Sequence, residues 1–110
     1  MRMDYRKLVR DRVPEIIHRN GYTCEIATMT DEEYHQALRE KLVEEAGEAA
    51  GADADHLVIE LADLFEVMDA LMVSHGITSE MVQVEQERRR IERGGFARRI
   101  RLLWTERAGT

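Results

Sequence analysis

Two long stretches of the chain repeat apolar residues at the spacing of an α-helix. Between Tyr34 and Ala49, the residues Tyr34, Ala37, Leu38, Leu42, Ala46 and Ala49 fall in one sector of a helical wheel. Between Leu57 and Val73, apolar residues cover most of the wheel. Leu57, Leu61, Leu64, Phe65, Met68, Leu71 and Met72 share one side, and Val58, Ile59, Ala62 and Val73 lie elsewhere. Thr30 followed by Glu33 forms a capping-box signal, so the first long helix opens there and runs to near Ala50. "GADAD" is a loop, and the second long helix runs from about Asp55 to Ser74, before Gly76. Thr78 or Ser79 opens a third helix, which Gly94-Gly95 closes.

The flanks carry weaker signals. "VPEIIHRNG" places Pro14 at a first-turn position and ends in a turn signal. "TCEIATM" alternates weakly, which suggests a short strand near residues 23–28. Residues 5–13 read as a short helix or an extended arm, and the tail after Gly95 reads as an extended C-terminal arm. The expected fold class is therefore all-α, a helical hairpin plus a third helix, in a single domain of residues 1–110. A helix that is apolar on most sides needs neighbours on most sides. The hairpin is thus expected to pair with its copy in a homodimer, or a higher homo-oligomer, to complete a four-helix bundle.

Charge sharpens the picture. The net charge is −6, distributed as +3 over residues 1–24, −13 over 25–80 and +4 over 81–110. The acidic middle, with a pI near 5.2, counts against nucleic acid as a partner. The N-terminus lacks an apolar signal region, and no run approaches the ~18 apolar residues a membrane span requires. A lone cysteine, Cys24, has no partner for an intrachain disulfide. The cytosol is the expected location.

Some of the acids lie on the wrong face for a solvated helix. On the first long helix Glu45 falls near the middle of the apolar sector. Glu48 and Lys41 fall between Ala37 and Tyr34, and Glu44 sits at the edge. On the second, Glu60 falls between Val67 and Leu71, with Asp63 at the margin beside it. Glu45 and Glu48 are i, i+3 neighbours, as are Glu60 and Asp63. A short loop makes the helices antiparallel, which puts both pairs at similar heights above the turn. Burying an unpaired anion costs several kcal/mol, so four converging carboxylates must take up protons or share a cation. An oxygen-only set without histidine favours Mg²⁺, with Mn²⁺ as a substitute, over zinc. The plain alternative is helix-surface pairing of Lys41 with Glu44 or Glu45. The basic ends supply cations for phosphate oxygens, among them Lys7, Arg10 and Arg93.

These motifs resemble the all-α nucleotide pyrophosphatase superfamily, the MazG-like and phosphoribosyl-ATP pyrophosphohydrolase-like proteins. The pattern E-E-x-x-E followed by E-x-x-D reads here as Glu44-Glu45-Ala46-Gly47-Glu48, then Glu60-Leu61-Ala62-Asp63. "YRKLVRDRVPEII" and "ERGGFARRIRL" resemble the terminal motifs of one small-protein branch. The resemblance implies Mg²⁺-dependent hydrolysis of a nucleoside triphosphate or related nucleotide, such as phosphoribosyl-ATP, between the α and β phosphorus atoms. It implies Glu45, Glu48, Glu60 and Asp63 as metal ligands, and Glu44 and Glu45 as catalytic carboxylates, the choice of general base staying open. Lys7, Arg10, Lys41 and Arg93 would contact the substrate. Housecleaning of nucleotide pools competes with a role in histidine biosynthesis. The alternative class is a non-catalytic helical dimer that binds a metal or nucleotide for regulation.

Overall fold

The computed structural model describes residues 1–109, and its regular elements are all helical, with no strand among the described residues. Helix α1 spans Val13–Arg19, α2 Asp31–Gly51, α3 Leu57–Ser74 and α4 Ser79–Arg93. The chain divides into two units, Met1–Ile77 and the part from Thr78 onward.

In the first unit, α2 opens on the expected capping box. The Thr30 hydroxyl accepts from the Glu33 N–H at 3.2 Å, and the Glu33 carboxylate accepts from the Thr30 N–H at 2.9 Å. A cap of this kind contributes about 1 kcal/mol. The Thr30 backbone bond also holds the Glu33 carboxyl below its ordinary value. At the far end, Asp53 shapes the turn into α3. Its carboxylate accepts from the His56 N–H at 3.0 Å and from the His56 ring Nδ1 at 2.7 Å. The two helices then pack antiparallel. At the open end of the hairpin, the His35 Nε2 lies 3.1 Å from the Ser74 carbonyl. The rings of His35 and His75 stack there with centroids 4.4 Å apart, and an Arg39 N–H donates to the His75 Nε2 at 3.4 Å.

The buried core is small. Only Leu38 on α2, at 2% exposure, and Val67 on α3, at 9%, are buried among the described residues. Val58, Ile59, Phe65 and Val73 of α3 stand exposed. The apolar breadth of α3 thus exceeds what α2 alone covers, as the wheel anticipates.

The segment near residues 23–28 is not a strand: residues 22–30 carry no regular structure. A strand satisfies its backbone groups on a neighbouring strand, and the described residues offer none. Residues 5–10 form no helix, leaving an arm that leads into α1. In the second unit, the Thr78 hydroxyl caps α4 by accepting from the Met81 N–H at 3.1 Å. Arg88 bridges Glu85 and Glu92 along the helix. Gly94, at φ 82°, ends the helix in a conformation that penalises a side chain. Beyond it the chain is irregular apart from one turn, in which the Arg99 N–H donates to the Phe96 carbonyl at 3.0 Å.

Two outcomes are expected. Leu38→Ala should destabilise the protein by about 2–5 kcal/mol in chemical denaturation, since it removes the most buried side chain. We also propose that a second copy covers the exposed face of α3. Light scattering at micromolar concentration should then report at least twice the chain mass of 12.8 kDa, and a stable monomer would contradict it.

Candidate metal and phosphate site

Midway along the hairpin, Glu45 of α2 meets Glu60 and Asp63 of α3. One carboxylate oxygen from each lies within 4.8 Å of the others, and all three residues are half-buried. The geometry follows from the helices. Glu60 and Asp63 project from one face of α3 because three residues make nearly one turn. The antiparallel hairpin brings Glu45 to their level. The same α2 turn carries Lys41, one turn earlier, whose ammonium lies 3.9 Å from Glu45 and 3.4 Å from Glu44. Lys41 is itself largely covered, at 19% side-chain exposure.

Glu44 and Glu48 do not enter the three-residue cluster; both are exposed. They line an open groove of about 580 Å³ that runs from the cluster toward the loop, with Glu60 shared between the two. Gly47, Gly51 and Ala52 line the same groove between these acids. A Cβ built on Gly47 would meet nothing within 4 Å. Asp53 and His56 close the groove at the loop end. Neither of these last two stands out as a site residue in the sequence, although an Asp three residues before a His at a helix start is a turn signal.

The arm that precedes α1 supplies cations to these carboxylates. The Arg10 Nη2 donates to Asp63 Oδ1 at 2.8 Å, across 53 residues of sequence. Lys7 reaches Glu44 at 3.8 Å. Exposed pairs of this kind contribute only about 0.2–1 kcal/mol each, so they place the arm without locking it. Of the four basic residues expected to contact substrate, Lys7, Arg10 and Lys41 are thus gathered at the carboxylates. Arg93 belongs to the second unit, in the last turn of α4, and forms no ion pair among the described residues.

The electrostatics are those of crowded anions. Partial burial raises the Glu45 carboxyl above its ordinary value of 4.5; Lys41 opposes the shift, while Asp63, Glu44 and Glu48 add to it. The donor set is all carboxylate, which suits a hard divalent cation with room for water or phosphate oxygens. It does not suit zinc, which takes nitrogen and sulfur ligands.

A helical hairpin with opposed carboxylates and basic residues beside them defines a class of acidic, cation-holding sites. Residues 3–90 match the family described as phosphoribosyl-ATP pyrophosphohydrolase, and the chain belongs to that family. A protein of Mycolicibacterium smegmatis, described as uncharacterized, is 46% identical over 54 residues, which is 49% of this chain and 55% of that protein. The chain therefore spans about half the length of the curated relative it matches. No solved structure matches it. No helix of the described residues is long and apolar enough to cross a membrane.

A raised Glu45 pKa has a signed consequence in metal-free protein. The folded state holds the proton more tightly than the unfolded one, so this contribution to stability is fully present below pH 4.5 and lost as pH rises through the folded value. With a chelator present, Glu45→Gln should therefore melt above wild type at pH 7, and the gap should close as the pH falls below about 4.5. A wild type that is the more stable at pH 7 under those conditions would contradict the assignment.

Proposed function

We propose that this protein hydrolyses a nucleoside triphosphate, or a related nucleotide such as phosphoribosyl-ATP, between the α and β phosphates. The products are a nucleoside monophosphate and pyrophosphate. Mg²⁺ is the proposed cofactor, with Mn²⁺ as a substitute, and residues 1–110 act as one catalytic domain in a homodimer or higher homo-oligomer. Clearing unwanted nucleotides from the cell's pool, in the cytosol, is the preferred role. The observation that carries this reading is the convergence of Glu45, Glu60 and Asp63 oxygens within 4.8 Å, in a chain of this family.

In this reading Glu45, Glu60 and Asp63 would hold the cation, and Glu48, three residues after Glu45 on α2, would add an oxygen. When bound, the ion neutralises phosphate charge and lowers the pKa of a coordinated water. Glu44 and Glu45 are the proposed catalytic carboxylates, one of which takes the proton from the attacking water. Lys7, Arg10 and Lys41 bind phosphate oxygens and offset the charge that builds on the leaving pyrophosphate. The resemblance to the family extends the same task to Arg93. At Gly47, where an added Cβ would meet nothing within 4 Å, the groove has open space for a polyphosphate.

The test is pyrophosphate release from a panel of nucleoside triphosphates and phosphoribosyl-ATP, with Mg²⁺ or with EDTA. Activity should appear only with the cation, and Glu45→Gln and Asp63→Asn should each lower kcat by about 100-fold or more. Folded variants that release pyrophosphate as fast as wild type would refute the site. A panel with no hydrolysed member would favour a non-catalytic dimer that binds a metal or nucleotide.

A further inference from the structure

Arg10 occupies an unusual place for a phosphate-binding residue. Its guanidinium is bonded at 2.8 Å to Asp63, one of the three carboxylates that face one another. Lys7, three residues earlier on the same arm, is 3.8 Å from Glu44 at the mouth of the groove. Both cations are more than half exposed, at 61% and 53%. The arm carrying them has no helix of its own. Two weak, solvent-screened ion pairs join it to the hairpin near the site, on either side of the half-buried Leu8.

We propose that Arg10 and Lys7 are exchangeable stand-ins for the divalent cation, and that the arm is a strap whose hold passes from carboxylate to phosphate during the working cycle. This rests on the metal-site reading given above. Without a cation, Arg10 and Lys7 offset the negative charge of Asp63 and Glu44. A divalent ion seated among Glu45, Glu60 and Asp63 takes over that task and repels the guanidinium beside it. The released Arg10 then presents its planar fork to a phosphate, which it binds in two-point geometry. Nucleotide arriving with the metal thus finds its counter-charge already at the groove, and the strap closes over it. Arg10 is in this sense a phosphate-binding residue that couples the order of binding: metal would open the strap and the polyphosphate would close it.

The two halves of the exchange are read separately. Mn²⁺ titration of nucleotide-free protein, followed by the electron paramagnetic resonance of free Mn²⁺, should show about two- to fivefold tighter binding in Arg10→Ala, and likewise in Arg10→Gln. The same variants should bind a non-hydrolysable α,β-methylene nucleoside triphosphate more weakly. A residue serving only to brace the site would give looser metal binding when removed. In the wild type, trypsin cleavage after Arg6 and Lys7 should accelerate with Mn²⁺ alone and slow again when the methylene analogue is added. Unchanged or weaker Mn²⁺ affinity in both variants overturns the exchange while leaving the metal site standing. Failure of the wild type to bind Mn²⁺ at all overturns both.

Discussion

Three carboxylates whose oxygens come within 4.8 Å of one another repel, and the backbone gives each of them a fixed origin. Glu45 rides on one helix, while Glu60 and Asp63 share the next. The spacing between the helices is set by apolar contact around Leu38 and Val67, not by the acids. The cost of holding these charges together must therefore be met locally, by Lys41, by Arg10, by a proton on Glu45 or by a cation. Much else near the site is arranged around that demand. The basic arm lies along the hairpin, the groove beside the cluster is lined by further acids and glycine, and partial burial raises the Glu45 carboxyl.

The charge pattern along the chain fits this view. Basic ends around an acidic middle are what a protein needs if its own cations must reach its own anions. The first unit shows half of that arrangement directly, since Lys7 and Arg10 of the basic N-terminus pair with Glu44 and Asp63 of the acidic middle. The apolar side chains left exposed on α3 point to the other constraint on so small a core, which is that a hairpin alone covers only one side of each helix.

Much of the fold was legible in the sequence because its signals are local. Thr30 and Glu33 cap α2 as their spacing predicts, Thr78 opens α4, and Gly94 ends it with a positive φ. The meeting of Glu45 with Glu60 and Asp63 was legible too, since it needs only helical periodicity and a short loop. Four things were not. The weak alternation near residues 23–28 suggested a strand, but alternation cannot supply a hydrogen-bonding neighbour. The wheel put Glu48 among the inward residues, whereas its side chain is exposed on the open groove, because a wheel assigns direction without knowing how far the partner helix reaches. The Arg10–Asp63 bond spans 53 residues and joins an aperiodic arm to a helix, so no local pattern encodes it. The stacking of His35 on His75 was hidden for the same reason.

The loop between α2 and α3 is short, and this gives the site an uncommon independence. Its three facing carboxylates come from a window of 19 consecutive positions, Glu45 to Asp63. Contacts so close in sequence form early and need little loop closure. The cluster can therefore assemble as soon as one hairpin does, before either end of the chain has found its place. Insertions or extensions at the termini would change what the site recognises without rebuilding it. A cluster confined to one hairpin is portable: the same acidic window can be carried by chains of different lengths, each adding its own arms around it.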